Sequence, residues 1–151
     1  MKILFDTNVI LDALLQRAPF DIAATRLLAT VERQQISGFL AATTITTIDY
    51  LATRATDRRQ AQQHISRLLM LFSIAPITHL VLADALLLPF TDFEDAVLHE
   101  AARQAGVDGI VTRNCTDFKG ASLPIYTPDE LLILLQALPW HGRDTHENEQ
   151  I

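Results

Sequence analysis

Cysteine is almost missing from this sequence: Cys115 stands alone among 151 residues. A single thiol cannot close an internal disulfide, so packing must hold the core, and a reducing cytoplasmic setting is expected. Long apolar runs are missing as well. None approaches the ~18 residues of a membrane span, and Asp6 and Asn8 interrupt the apolar start before it could form a secretory signal. Positive charge is in deficit, with 12 Lys and Arg against 18 Asp and Glu, a net charge of −6. That balance excludes a protein holding nucleic acid by bulk electrostatics. It does not exclude a nuclease, because metal ions can supply local charge, as can Arg17, Arg54, Arg58, Arg59, Arg67 and Arg113. An acidic balance also suits a basic partner. With only 5 Gly and 6 Pro, and no repeat, the chain is neither fibrous nor of low complexity.

What is present is apolar material, 49% of the residues, in a length that fits one domain. Lys2-Ile3-Leu4-Phe5 reads as a buried strand. Thr7 is placed to cap a helix carrying Val9, Ile10, Ala13 and Leu14. A helix follows over about residues 20–34, then a strand over 36–41. Thr43 or Thr44 opens a helix to Arg54, and Asp57 caps another that reaches Phe72. Ser73-Ile74-Ala75 is a short strand. Helices over 78–88 and 92–105 flank the next connection. Strands at 109–112 and 123–126 and a helix over 128–137 complete the pattern, and Pro124 puts the last strand at an edge. Beyond Pro139 the chain is polar and reads as a loose tail, so the domain is expected at 1–138 and the tail at 139–151. Short unalternating strands between helices predict an α/β fold, with a parallel sheet covered on both faces.

The chemistry-bearing residues are acids at element ends. Asp6 directly follows the first strand, where ligands bind parallel sheets, although a turn or capping aspartate also stands there. Asp49 lies on an otherwise apolar and Thr-rich helix, either solvated or turned toward a cation. Asp92 and Asp95 open a helix, where acids favour the dipole; their i,i+3 spacing puts both on one face. His99 shares that face and reads as a solvated surface histidine. Asp117 follows Thr112-Arg113-Asn114 after a strand, as a turn or a metal or phosphate site would. If folding gathers these acids, their repulsion calls for a hard divalent cation, Mg²⁺ or Mn²⁺.

The order of these pieces resembles the PIN domain family of small metal-dependent ribonucleases. Asp6-Thr7-Asn8-Val9-Ile10-Leu11-Asp12 is similar to its opening motif. Asp92-Phe93-Glu94-Asp95-Ala96 resembles its third acidic motif. Ile110-Val111-Thr112-Arg113-Asn114 with Asp117-Phe118 resembles its fourth. The resemblance spans roughly residues 1–137. It implies a three-layer α/β/α sandwich around a parallel sheet of four or five strands, and endonucleolytic RNA cleavage with Mg²⁺ or Mn²⁺. It further implies a toxin of the VapC type with a small antitoxin partner, and a homodimer as a frequent arrangement. Carried over by position, Asp6, Asp49, Asp95 and Asp117 are the catalytic acids. Asp6, Asp92, Asp95 and Asp117 are the metal-facing ones, with Asp92 either ligand or cap. Asn8, Thr112, Arg113 and Asn114 take supporting or substrate-binding roles. Asp49 stands where the family typically has Glu, and Asn114 where some members have another acid.

Two other readings compete. One is a PIN-like module that binds a partner without cutting RNA. The other is a phosphatase of the haloacid dehalogenase type, which also opens with Asp after its first strand. That type needs a second acid two residues later, where this chain has Asn8.

Overall fold

The first strand, β1 (Lys2–Phe5), lies at the centre of a five-stranded sheet, with Ile3, Leu4 and Phe5 fully buried. The structure is a computed structural model in which residues 1–138 are described; the expected tail at 139–151 lies outside the described residues. Chain order continues with α1 (Thr7–Leu14), α2 (Asp21–Glu32), β2 (Ser37–Ala41), α3 (Ala42–Ala55), α4 (Arg58–Leu71) and β3 (Ser73–Ala75). After these come α5 (His79–Ala85), α6 (Phe93–Gln104), β4 (Gly109–Val111), a 3-10 turn (Cys115–Phe118), β5 (Ile125–Tyr126) and α7 (Pro128–Ala137).

All neighbouring strands pair in parallel, in the order β3-β2-β1-β4-β5. Alternation along β1 divides the core. Ile3 and Phe5 pack with α1, α2, α4 and Leu131 of α7 on one face. Leu4 packs with α5 and α6 on the other. This is the expected α/β/α sandwich with a parallel sheet. Connections leave β1 toward β2 and β3 on one side and then cross to β4 and β5 on the other. The β1–β4 seam is therefore the point where a doubly wound sheet opens a crevice at its carboxyl edge.

Local signals explain most boundaries. Asp57, Thr78 and Asp92 accept backbone N–H bonds as caps of α4, α5 and α6. Thr127 and Glu130 form a reciprocal capping box on α7, with Pro128 in its first turn. Two expected caps are corrected. Asp6, not Thr7, occupies the N-cap position of α1, and Ala41 precedes α3. The Thr7 hydroxyl instead meets the Thr44 hydroxyl at 3.0 Å in the core, joining the starts of α1 and α3. The helix expected through Leu88 stops at Ala85, because Leu87 and Leu88 donate to the carbonyls three residues back and tighten the turn.

Gly38 in β2 has a steric reason. A Cβ there would fall 2.6 Å from the Phe72 ring, which itself stands edge-on to Phe5 at 5.2 Å. Gly38→Ala should displace that ring pair and cost about 1–3 kcal/mol as overpacking does. A lowered urea midpoint at unchanged slope checks this, and an unchanged midpoint would mean that the ring moves aside freely.

Candidate active site

The end of β1 supplies Asp6 because the apolar run stops there and the chain turns into α1. Its backbone N–H donates to the Val111 carbonyl of β4 at 2.9 Å, which carries the β1–β4 pairing to the sheet's edge. Its side chain is 7% exposed. The Thr112 hydroxyl, wholly buried, donates to Asp6 Oδ2 at 2.8 Å. Thr112 Oγ1 in turn accepts from the Asn114 N–H at 3.1 Å, shaping the turn after β4. Burial pushes the Asp6 carboxyl above its ordinary 3.8, against the lowering hydrogen bonds from Thr112 and the Thr7 backbone; the charge of Asp117 raises it further and Arg113 lowers it.

Asp95 is half-buried in the first turn of α6. Burial, then the charges of Asp6, Asp92, Asp117 and Glu94, push its carboxyl from 3.8 to about 7. Asp117 lies exposed in the 3-10 turn, which the buried Phe118 anchors against Phe90. Folding thus brings Asp6, Asp95 and Asp117 within electrostatic reach of one another. Asp92 stands beside them as the cap of α6, its Oδ1 accepting from the Glu94 N–H at 2.7 Å. Asn8 is half-buried on α1 and Asn114 exposed before the turn. Asp49 is exposed on α3 and is not among the charges acting on Asp6 or Asp95.

Among the described residues, no group of three or more His, Cys, Asp or Glu is arranged to enclose a metal ion by itself. The donor set nevertheless suits a hard cation that keeps much of its water and takes only one or two carboxylates. Two carboxyls held above their ordinary range by burial and mutual repulsion are what such an ion would relieve.

Three contributions to the site were not visible in the pattern of acids. Asp12, 2% exposed, receives Arg17 Nε at 2.9 Å and stands 3.0 Å from Arg113 Nε, so it orients the arginine that follows Thr112. Thr44 steadies the first turn of α1 through Thr7. His99 is not solvated but 1% exposed. Its Nε2 accepts the Ser122 N–H at 3.1 Å, which leaves the proton on Nδ1 to donate to Glu100 Oε1, also at 3.1 Å. Burial raises the Glu100 carboxyl, but hydrogen bonds from Arg103 and His99 outweigh it and hold it below 4.5. This chain of bonds ties the segment after Asp117 to the helix bearing Asp95. A histidine on the apolar side of α6 was the available signal, since Val97, Leu98, Ala101 and Ala102 around it are all buried.

The raised Asp95 carboxyl makes a signed prediction. Between its unfolded value near 3.8 and about 7, the folded chain holds a proton that the unfolded chain has released. Stability from this group therefore falls as pH rises through that window and levels off above it. In chelator, Asp95→Asn should unfold at higher urea than the parent at pH 8, with the difference shrinking toward pH 5. Parallel curves across that range would show that the charges do not interact.

A family profile described as PIN domain matches residues 2–116. Among curated proteins none matches the sequence. Several solved structures share the fold. VapBC2 from Rickettsia felis, bound to a DNA fragment from its promoter, aligns with TM-score 0.67 at 14% identity, covering 84% of this chain and 98% of that one. A toxin–antitoxin complex from Klebsiella pneumoniae aligns with TM-score 0.65 at 22% identity, covering 83% and 96%. VapC20 from Mycobacterium tuberculosis, a Sarcin-Ricin loop cleaving toxin, aligns with TM-score 0.64 at 17% identity, covering 81% and 96%.

Proposed function

Because this chain belongs to the PIN domain family, we propose that it is a metal-dependent endoribonuclease acting as the toxin of a toxin–antitoxin pair. The observation that carries this reading is the gathering of Asp6, Asp95 and Asp117 at the β1–β4 crevice, where burial first and neighbouring negative charge second raise the Asp6 and Asp95 carboxyls. Asp6, Asp95 and Asp117 are the residues that would hold Mg²⁺ or Mn²⁺, with Asp92 beside them. When bound, such an ion neutralises phosphate charge and lowers the pKa of water at the site.

The chain's own groups do the rest. The Thr112 hydroxyl fixes Oδ2 of Asp6. Asp95, its carboxyl pushed to about 7 by burial and the neighbouring charges, would hold the ion as a carboxylate. Asn8 on α1 and Asn114 before the 3-10 turn offer amide groups. Arg113, a single residue beyond Thr112, offers positive charge to an RNA phosphate. Asp49 is the fourth acid of the proposal, orienting water or accepting its proton. Its assignment rests on the family pattern, and Thr44 on the same helix ties α3 to the start of α1.

The structural relatives supply the partner hypothesis. VapBC2 and the Klebsiella complex pair a toxin with its antitoxin, and a small antitoxin, with a homodimer of this chain, is proposed here by analogy. No helix among the described residues is long and apolar enough to cross a membrane. A cytoplasmic site of action is part of the proposal. The partner-binding module without activity makes the opposite prediction for metal, namely no stabilisation by Mn²⁺. The haloacid-dehalogenase alternative falls with the family match and with Asn8 at its acid position.

Asp6→Asn should reduce Mg²⁺- or Mn²⁺-dependent cleavage of a panel of structured RNAs by at least about 100-fold, as losing several kcal/mol of charge stabilisation requires. It should also shrink the rise in melting temperature on adding Mn²⁺. Cleavage at the parent rate by this variant would assign the activity elsewhere.

A further inference from the structure

Beside the acid site lies a cavity of about 440 Å³ between the start of α2 and the start of α7. That size falls in the ~300–1,000 Å³ range of small-ligand clefts. Its walls include Phe20, Arg26, Arg113, Pro128 and Asp129. Arg113 connects the two places, since it follows Thr112, the hydroxyl partner of Asp6, and its charge acts on Asp6.

The charges around the cavity do not balance. Arg17 and Arg113 share the single carboxylate of Asp12. Arg26 adds a further positive charge from α2, and Asp129 opposes it from α7. Among the lining residues two arginines, Arg26 and Arg113, stand against the one aspartate, in a chain whose total is −6. The Arg113 guanidinium lies over the Phe20 ring at 4.1 Å from its centroid, and Phe20 remains 42% exposed. An exposed aromatic ring backed by arginine, with a second arginine in the same cavity wall, combines stacking surface and phosphate charge.

We propose that this cavity binds one unpaired nucleotide of the RNA substrate next to the scissile phosphate, its base on Phe20 and its phosphate toward Arg113 and Arg26. The inference rests on the nuclease reading above for the direction of the strand's path, but it concerns binding. A base inside a duplex is already stacked and cannot enter, so the cavity selects single-stranded or looped RNA. Arg113 then serves both places: it faces the phosphate at the cut and carries the platform for the neighbouring base.

The test measures fluorescence anisotropy of a short labelled RNA of mixed sequence, single-stranded or annealed to its complement, with the full chain in chelator to prevent turnover. The single strand should bind more tightly than the duplex. Phe20→Leu, which keeps apolar bulk, should weaken single-strand binding by roughly 5- to 100-fold, the loss expected for one stacked base. Arg26→Gln, at an exposed position that should not disturb folding, should make the slope of log affinity against log salt shallower by about 0.7, one phosphate contact on a single strand. With Mn²⁺ present, both variants should raise KM and leave kcat near the parent value. Parent-like affinity and KM in both variants overturn the proposal, as does a parent that binds the duplex equally well or binds no RNA. The two readings separate cleanly: cleavage with variant-independent KM removes the cavity and keeps the nuclease, whereas variant-sensitive binding without any cleavage keeps the cavity and removes the nuclease.

Discussion

The hydrogen bond from the Thr112 hydroxyl to Asp6 is the joint on which the site depends. It joins the ends of two adjacent parallel strands whose following connections run to opposite sides of the sheet. Backbone pairing carries the register that far, with Leu4 against Ile110 and Phe5 against Val111, and the Asp6 N–H then donates to Val111. Once Asp6 is fixed there, the turn after Thr112 brings Asp117 near it, and α6 brings Asp95 from across the crevice. Neighbouring negative charge raises the carboxyls of Asp6 and Asp95 beyond what burial does. Burial and like charge together lift Asp95 to about 7. A scaffold that tolerates such repulsion must be stabilised elsewhere, and the two apolar layers around Phe5 and Leu4 are where this occurs.

Two buried polar networks keep the acids from relaxing apart. On one side His99 receives the Ser122 N–H and donates to Glu100, which also accepts from Arg103, so α6 and the connection to β5 move as one. On the other side Asp12 holds Arg17 and Arg113 behind the β4 turn. Neither network carries an acid of the site. Both pair their charges, which is the condition under which burying charge is tolerated, although Arg113 Nε meets Asp12 as an ion pair without a hydrogen bond. Asp117 and Asn114 lie exposed above them.

Much of this was legible before any coordinates. The end of the first strand at Phe5, the helix starts at Asp57, Thr78 and Asp92, and the edge position of β5 all follow from local chemistry acting over a few residues. The positions of Asp6, Asp95 and Asp117 at element ends were readable for the same reason. What misled was also local. Thr7 and Thr44 have the residue type of caps, yet their hydroxyls meet each other, because α1 and α3 start side by side. His99 looked solvated from its acidic neighbours along the helix, but burial is decided by what packs on α6, and there Phe90 and Ser122 cover it.

By itself the sequence determined which residues end in strands and helices and which carry negative charge, because propensity, capping and periodicity act between near neighbours. Only the tertiary structure decided which of those charges share a crevice, that Asp12 and His99 are interior, and that Phe20 lies under Arg113 beside a cavity. These depend on strand order and on contacts between segments far apart in the chain, where a single residue's chemistry is silent until the sheet sets its neighbours.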